Sequence, residues 1–482
     1  MLHVAGKRLL TVMAIILVFS AIIAVYSYVN HTYTRAVVGG ARSYDLSRVN
    51  SLIKFYAIGG LPASVESLFR SVGINLVHLL PDHVPAGFRL ESNSFILISV
   101  QEAGHKPLSY FNTLINLLSN NSNHVIALIN KDPKAQPFIV FDVHGAVYKA
   151  LSKVYGENAR PIIVCDPEDP ALLQVNNTEK PRGCKIHSAM FKADLVAINT
   201  NPPGTVIVEN LDERNVADAI VFILKALLPN NVFAKLEPLL PRELIPSTSI
   251  IDEPKDMVIL GTVGWITNYT RGKACGEVTG YQSFYIRYYY SNVTSATGAL
   301  YHVFYSYIVH SGKGYQTTCG WSTINHYPKA FATVTHWRTD AWPGQVLDDW
   351  GPKNVGTART ISYTTTAGIA VGKDFSATIQ YSTGFTEPNA PYYTWMDESD
   401  PGFGRVATRH EVERGGWPED KLSNKLFTVE PSSFGYLDPN KPGGKLPMII
   451  YHSLYMELNT GDNVNVTLSV YLYNNNYLWK VG

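Results

Sequence analysis

Charge is scarce in this sequence. Asp, Glu, Lys and Arg make up 16% of the residues, against a usual ~25%. The 40 basic and 39 acidic side chains nearly cancel, to a formal net charge of +1. With no basic stripe there is no electrostatic footprint for nucleic acid, and nucleic-acid binding is excluded. The same shortage, beside 46% hydrophobic content, excludes a disordered polyampholyte. Cysteine is rarer still. Cys165, Cys184, Cys275 and Cys319 include no C-x-x-C pair, which removes the common zinc and dithiol-redox motifs. No G-x-S-x-G elbow, P-loop or S-x-x-K occurs, so the usual nucleophile and phosphate signatures are missing too. No cofactor is expected from these absences.

Only one apolar run approaches the length of a membrane span. Lys7 and Arg8 precede an apolar or small stretch from Leu9 to Tyr26, prolonged by Tyr28 and Val29. At ~1.5 Å per residue it covers most of a ~30 Å hydrocarbon core. A cleaved signal carries a shorter run and an A-x-A-like site; here Ala21 and Ala24 are spaced A-x-x-A and the exit is bulky. The reading favours an uncleaved signal anchor, with a cleaved signal as the alternative. Residues 1–8 then form a cytoplasmic tail and 9–29 the span, with 30–51 a membrane-proximal stalk. The bulk of the chain faces the exterior of the cell membrane.

Two further features fit an exterior location. Sequons stand at Asn30, Asn120, Asn176, Asn268, Asn292 and Asn465. Asn30 lies too close to the span for modification, leaving five expected glycosylation sites. The even cysteine count suits an oxidising compartment, where Cys165–Cys184 and Cys275–Cys319 is the natural pairing among three connectivities.

Beyond the stalk the chain has two periodicities. Over 52–228, short runs apolar on both faces (LIKFYAI, SFILISV, HVIALIN, PFIVFDV, TVIVEN) alternate with helical patterns that end in NVADAIVFILKALL. That alternation predicts a doubly wound, Rossmann-like α/β domain with a mostly parallel sheet. Residues 229–256 carry five prolines and read as a linker that is partly packed down. From 257 to 482 the period is two. YQSFYIRYYY and ALYHVFYSYIVH flank one expected hairpin, TARTISYTTTAGIAV and FSATIQYST a second. In the last long run Val464, Val466, Leu468, Val470 and Leu472 share a face, opposite Asn465, Thr467 and Ser469. This half is expected to be an antiparallel β-sandwich.

Candidate sites are few. An open α/β sheet binds ligands beyond the carboxyl ends of its strands. Those ends give Gly59-Gly60, Gln101-Glu102, Asp166, and Asp142 with His144, where a carboxylate could orient an imidazole. Their bland counterparts are glycine turns and N-capping. Asp397, Glu398 and Asp400 cluster as calcium ligands do, though not at EF-hand spacing; the alternative is a solvated acidic loop. Gly402-x-Gly404-x-x-Ala407 lacks the strand–helix context of a dinucleotide site. His410-Glu411 lacks the second histidine of a zincin, since Arg414 stands there. Asp348-Asp349-Trp350 pairs carboxylates with an aromatic, yet neighbours on a strand point to opposite faces, and a turn before Gly351-Pro352 is the plainer account.

The overall plan, one amino-terminal span followed by sequon-bearing domains, resembles that of archaeal cell-surface proteins. The hairpin over 359–383, rich in Thr, Ser, Ala and Gly, resembles in composition the stem hairpins of β-barrel pore-forming toxins. The function expected is binding, adhesion or envelope scaffolding, through a surface protein or glycan partner. The alternatives are an extracytoplasmic hydrolase at the α/β strand ends and a membrane-perforating hairpin protein.

Overall fold

The computed structural model describes residues 44–80, 88–103, 123–130, 164–166, 185–186, 193–200, 203–241, 244, 254, 257–271, 277–295, 297–319, 322–353, 356–358, 361–368, 376–383, 391–446, 448–472 and 478–481. The expected anchor at 9–29 lies outside them. Among the described residues no helix is long and apolar enough to cross a membrane.

The first half places β1 (Lys54–Ile58), α1 (Ala63–Ser71), β2 (Leu76–Leu79), β3 (Asn93–Ser99), α2 (Val100–Ala103) and β4 (Asn123–Ile129) in order. Then come β5 (Val164–Asp166), β6 (Lys185–Ile186), β7 (Leu195–Thr200), β8 (Pro203–Glu209), α3 (Val216–Leu227) and α4 (Asn230–Leu236). The second half is nearly all strand. It contains β9 (Val258–Arg271), β10 (Val278–Thr294), β11 (Leu300–Gly314), β12 (Thr317–Cys319), β13 (Ser322–Ile324), β14 (Pro328–His336), β15 (Gln345–Gly351) and β16 (Gly356–Ala358). Next are β17 (Ile361–Gly368), β18 (Ser376–Thr383), β19 (Tyr392–Asp397), β20 (Arg405–Glu413) and β21 (Phe427–Val429). The chain finishes with β22 (Ser432–Leu437), β23 (Met448–Leu458), β24 (Asn463–Leu472) and β25 (Leu478–Val481).

One mixed sheet runs β15-β22-β11-β10-β9-β8-β7-β4-β3-β1-β2, with β21 also on β11. Its β2-β1-β3-β4 group is parallel, as apolar-on-both-faces strands require. Beyond it β7 is antiparallel to both neighbours, so the sheet as a whole is mixed rather than mostly parallel. The sheet does not stop at the proline-rich stretch. β8 pairs in parallel with β9, from Gly204 opposite Thr262 to Glu209 opposite Thr267. The stretch itself begins with α4, and Phe233, Leu236, Leu240 and Leu244 are buried there.

A second sheet runs β16-β19-β20-β14-β23-β24-β25-β5-β6 and is antiparallel except where β25 meets β5. In β24, Leu468, Val470 and Leu472 are buried while Asn465 and Thr467 are exposed, matching the alternation in the sequence. The expected first hairpin is β10–β11, paired from Gly280 opposite Gly314 to Thr294 opposite Leu300.

The tyrosine-rich strands at the centre are covered on both faces. Odd positions of β10 and β11 (Tyr281, Tyr285, Tyr289, Val303, Tyr305, Tyr307) share a core with α3. Even positions (Phe284, Ile286, Tyr288, Tyr290, Phe304, Ile308) share another with Val406, Leu454 and Leu468 of the second sheet. The region therefore has three layers: α3, the mixed sheet, and the antiparallel sheet. Helix α3 is buried at every position except Lys225, as a helix apolar all round must be.

Candidate functional site

The strand-end site is only partly assembled among the described residues. Gly59 turns at φ +77° and donates its N–H to Leu79 O at 3.1 Å, which closes β1 onto β2. Gly60 follows it into the approach to α1. Helix α2 is a single turn, and Gln101 in it donates to Asn130 Oδ1 at 2.6 Å. Asn130 ends β4 and escaped the sequence reading because asparagine after a strand reads as a turn. The Glu102 side chain, Asp142 and His144 lie outside the described residues. A shared pocket for Glu102, Asp142 and His144 is therefore not among the described features.

In the acidic block, the Asp397 carboxylate is held by protein donors and its two neighbours by their backbone. Asp397 Oδ1 accepts Ser399 N at 3.0 Å and Oδ2 accepts Trp350 Nε1 at 3.1 Å. Asp400 closes a tight turn by bridging to Arg405, and the Glu398 N–H donates to Ala407 O. Among the described residues no group of three His, Cys, Asp or Glu is arranged to hold a metal ion. The Trp350–Asp397 bond joins two segments that the sequence offered separately. Asp348 and Asp349 lie on β15 itself, at a register shift, rather than in a turn. Asp349 pairs with Lys353. Asp348 is pushed up to about 6 by partial burial and then by Asp349 beside it.

Several sequence-marked positions can now be placed. Asn292 and Asn465 are exposed, and Asn465 accepts Ser453 Oγ at 3.0 Å. Asn268 is 4% exposed; its amide donates to Asp212 Oδ1 at 3.3 Å and accepts Tyr315 Oη at 3.2 Å. A glycan on Asn268 is incompatible with that packing. Asn120 and Asn176 lie outside the described residues, as do the side chains of Cys165, Cys184, Cys275 and Cys319.

Buried polar groups fill two levels that the sequence did not announce. Under α3, Asp218 and Lys313 form an ion pair at 2.5 Å, with side chains 2% and 3% exposed. The rings of Tyr44, Tyr281 and Tyr315 stand 5.7, 5.5 and 5.3 Å from the ammonium. Nearby, burial pushes the Glu430 carboxyl up to about 7 against the pull of Lys225. Between the two sheets runs a seam of hydroxyl and imidazole groups. Tyr288 Oη and Thr335 Oγ1 bond the two ring nitrogens of His452 at 2.9 and 3.1 Å. Ser306 Oγ meets Ser433 Oγ, which also accepts Trp337 Nε1 at 3.0 Å. Gln282 Nε2 donates to His310 Nε2 at 2.8 Å. Burial holds His310 and His410 down to about 3, the charge of His410 adding to the shift at His310.

The second expected hairpin is present as a two-stranded ladder of its own, β17–β18, outside both large sheets and alongside β15. Its register runs from Ile361 opposite Thr383 to Gly368 opposite Ser376. Because side chains alternate at period two, that register fixes which positions share a face. One face has Ile361, Tyr363, Thr365, Ala367, Ala377, Ile379, Tyr381 and Thr383. The other has Ser362, Thr364, Thr366, Gly368, Ser376, Thr378, Gln380 and Ser382. Neither strand contains a charged residue.

No family model matches the chain, and no curated protein matches it. Among solved structures, Clostridium perfringens delta-toxin aligns at 11% identity with a TM-score of 0.29, covering 48% of this chain and 99% of that one. A likeness at that level carries no argument about fold or activity.

Proposed function

We propose that this chain acts at a lipid bilayer, by releasing the β17–β18 hairpin and inserting it as part of an oligomeric β-barrel wall. The observation that carries this reading is the pairing register of the hairpin. Read along one strand, the alternation is too weakly apolar to demand lipid. Read across the ladder, every aliphatic and aromatic position falls on one face, together with Thr365 and Thr383, and the other face has only hydroxyl, amide and glycine positions. That is the division a barrel strand needs between lipid and an aqueous lumen. Eight paired rows at ~3.3 Å give about 26 Å of strand, or about 20 Å of depth at a tilt of ~40°, so one or two further residues per strand would complete the ~25 Å apolar band of such barrels. The absence of charge from both strands favours the same reading, and Lys373-Asp374 in the connection would stay in water.

The chain is delivered to the exterior by the segment at 9–29, with paired cysteines and glycans at exposed sequons. A doubly wound α/β domain and a β-sandwich form the soluble body. An adhesion, binding or scaffolding role is the second reading, favoured by exposed Asn292 and Asn465 on a surface suited to glycans.

The test is dye release from liposomes by the full-length protein. Release is expected from the native chain, and Ile379→Arg, on the apolar face, is expected to reduce it at least tenfold. Thr366→Arg, on the polar face, should retain release while shifting the ion selectivity of single channels toward anions. A folded protein that binds vesicles or cells without releasing dye, over a range of lipid compositions, would overturn insertion and leave the adhesive role.

A further inference from the structure

The base of the hairpin is fixed to one edge of the antiparallel sheet. β16 enters the hairpin and β19 leaves it, and the two pair with each other from Gly356 opposite Trp395 to Ala358 opposite Tyr393. β19 in turn pairs with β20, where Trp395 stands opposite His410. On its other side His410 stands opposite Phe331 of β14. The opposing sheet brings His310 of β11 to the same place, its ring edge-on to Phe331 at a centroid distance of 5.0 Å. Both histidines are 0% exposed. An imidazole pair thus sits between the layers, one strand removed from the base of the hairpin.

The surroundings are suited to neutral rings. β10 contributes Gln282, whose amide donates to His310 Nε2, so that nitrogen acts as an acceptor and carries no proton. β14 contributes Phe331, β19 Trp395 and β21 Val429, all uncharged. His310 Nδ1 is buried without a hydrogen-bond partner among the described residues. No carboxylate is among the groups that shift His310; the charge acting on it is that of His410. Of the described acids on the adjoining strands, Glu430 follows Val429 and feels the pull of Lys225 on the α3 side, and Glu411, next to His410 on β20, accepts Arg409 Nε at 3.0 Å. Protonated, His310 would lose the bond it accepts from Gln282 and face a second buried imidazole, with no carboxylate among the described groups acting on it.

We infer that the His310–His410 pair is an acid-sensitive latch: protonating it separates the two sheets and frees the β16–β19 base of the hairpin. The release step rests on the insertion reading above, while the opening itself does not. The sign follows from linkage. Both rings have folded-state values well below the ordinary 6.5. The stability they contribute is therefore complete above 6.5 and is lost as pH falls through the interval below it. Each imidazole favours the open form by up to about tenfold per pH unit in that interval, so the pair shifts the opening equilibrium by ~10³ between pH 6.5 and 4.5.

The experiment is peptide-level deuterium uptake on the full-length protein, corrected for intrinsic exchange, from pH 7.5 to 4.5. Uptake in β11, β14, β19 and β20 is expected to rise steeply below pH 6.5. It should stay nearly flat in a His310→Gln/His410→Gln variant, while His78→Gln, at an exposed position, should follow the native profile. A flat native profile would overturn the latch whether or not the double variant folds, as would a double variant that opens like the native chain. Dye release measured in parallel separates the two ideas. Opening without release at any pH sinks insertion and leaves the latch standing; release independent of pH with no opening does the reverse.

Discussion

Lys313 shows what a single residue can hide. In the sequence it sits in Ser311-Gly312-Lys313-Gly314, which reads as the frayed end of a strand followed by a loop. In the fold it reaches Asp218, 95 positions earlier, inside a ring of tyrosines. Nothing local marks the partner, because Asp218 lies in the first turn of a mostly apolar helix, opposite Lys225 in the last turn, and looks like a favourable dipole contact. Burial pushes Asp218 upward in pKa, with Lys313 pulling it back, so each group tolerates its site only because the other is present. Lys313→Met alone should destabilise the fold by about 3–5 kcal/mol, since it strands a buried carboxylate. Adding Asp218→Leu should recover most of that loss, because an apolar pair replaces the ionic one at similar volume. Urea unfolding of the two variants checks both outcomes, and equal losses would show that the pair is incidental. Asn268 is the same lesson reversed. Its sequon is plain in the sequence, while the hydrogen bonds that occupy its amide come from Asp212 and Tyr315, distant in the chain.

At the level of elements, the type was legible and the context was not. The helix at Val216–Leu227 and the β10–β11 hairpin follow directly from composition and period. Period two alone marks a strand with one face buried, yet β10 and β11 are covered on both faces, which is why tyrosine and phenylalanine fill odd and even positions alike. The proline-rich stretch hid α4, whose Pro229 stands at the N-cap, where proline's missing N–H does no harm. Strand pairing was least legible, since β8 and β9 come together across a separation that no local pattern records. The face division of β17–β18 likewise required the register, because one strand alone shows half of each face. Close approaches are invisible to sequence as well. A Cβ at Gly435 of β22 would lie 2.5 Å from Val346 O and 2.8 Å from the Trp337 ring. Gly435→Ala should therefore push β15 and Trp337 apart and destabilise by about 1–3 kcal/mol. Loss of the fixed near-ultraviolet signal of Trp337 is the measurement, and an unchanged signal and stability would show that the strands can yield.

For the whole molecule, the two levels of buried polar groups act with opposite sign on stability. The imidazoles between the sheets destabilise the fold as pH falls. Glu430, on the α3 side, works the other way: its folded value is raised by burial from 4.5 to about 7. A raised carboxyl contributes stability that is complete below the unfolded value and is lost as pH rises through the folded one. The interval in which Glu430 withdraws stability is therefore about pH 4.5 to 7, overlapping that in which the histidines restore it. The native protein should show a shallower dependence than its histidines alone would give, since one carboxyl offsets about one of the two imidazoles. Glu430→Gln removes the offset. Its urea midpoint should rise more steeply with pH than the native one between pH 5 and 7, by at most one proton's worth of linkage. A variant that only parallels the native curve would mean that Glu430 is already ionised against Lys225 throughout. In that case the carboxyl provides no counterweight, and the acid response of the layers would be set by the imidazoles alone.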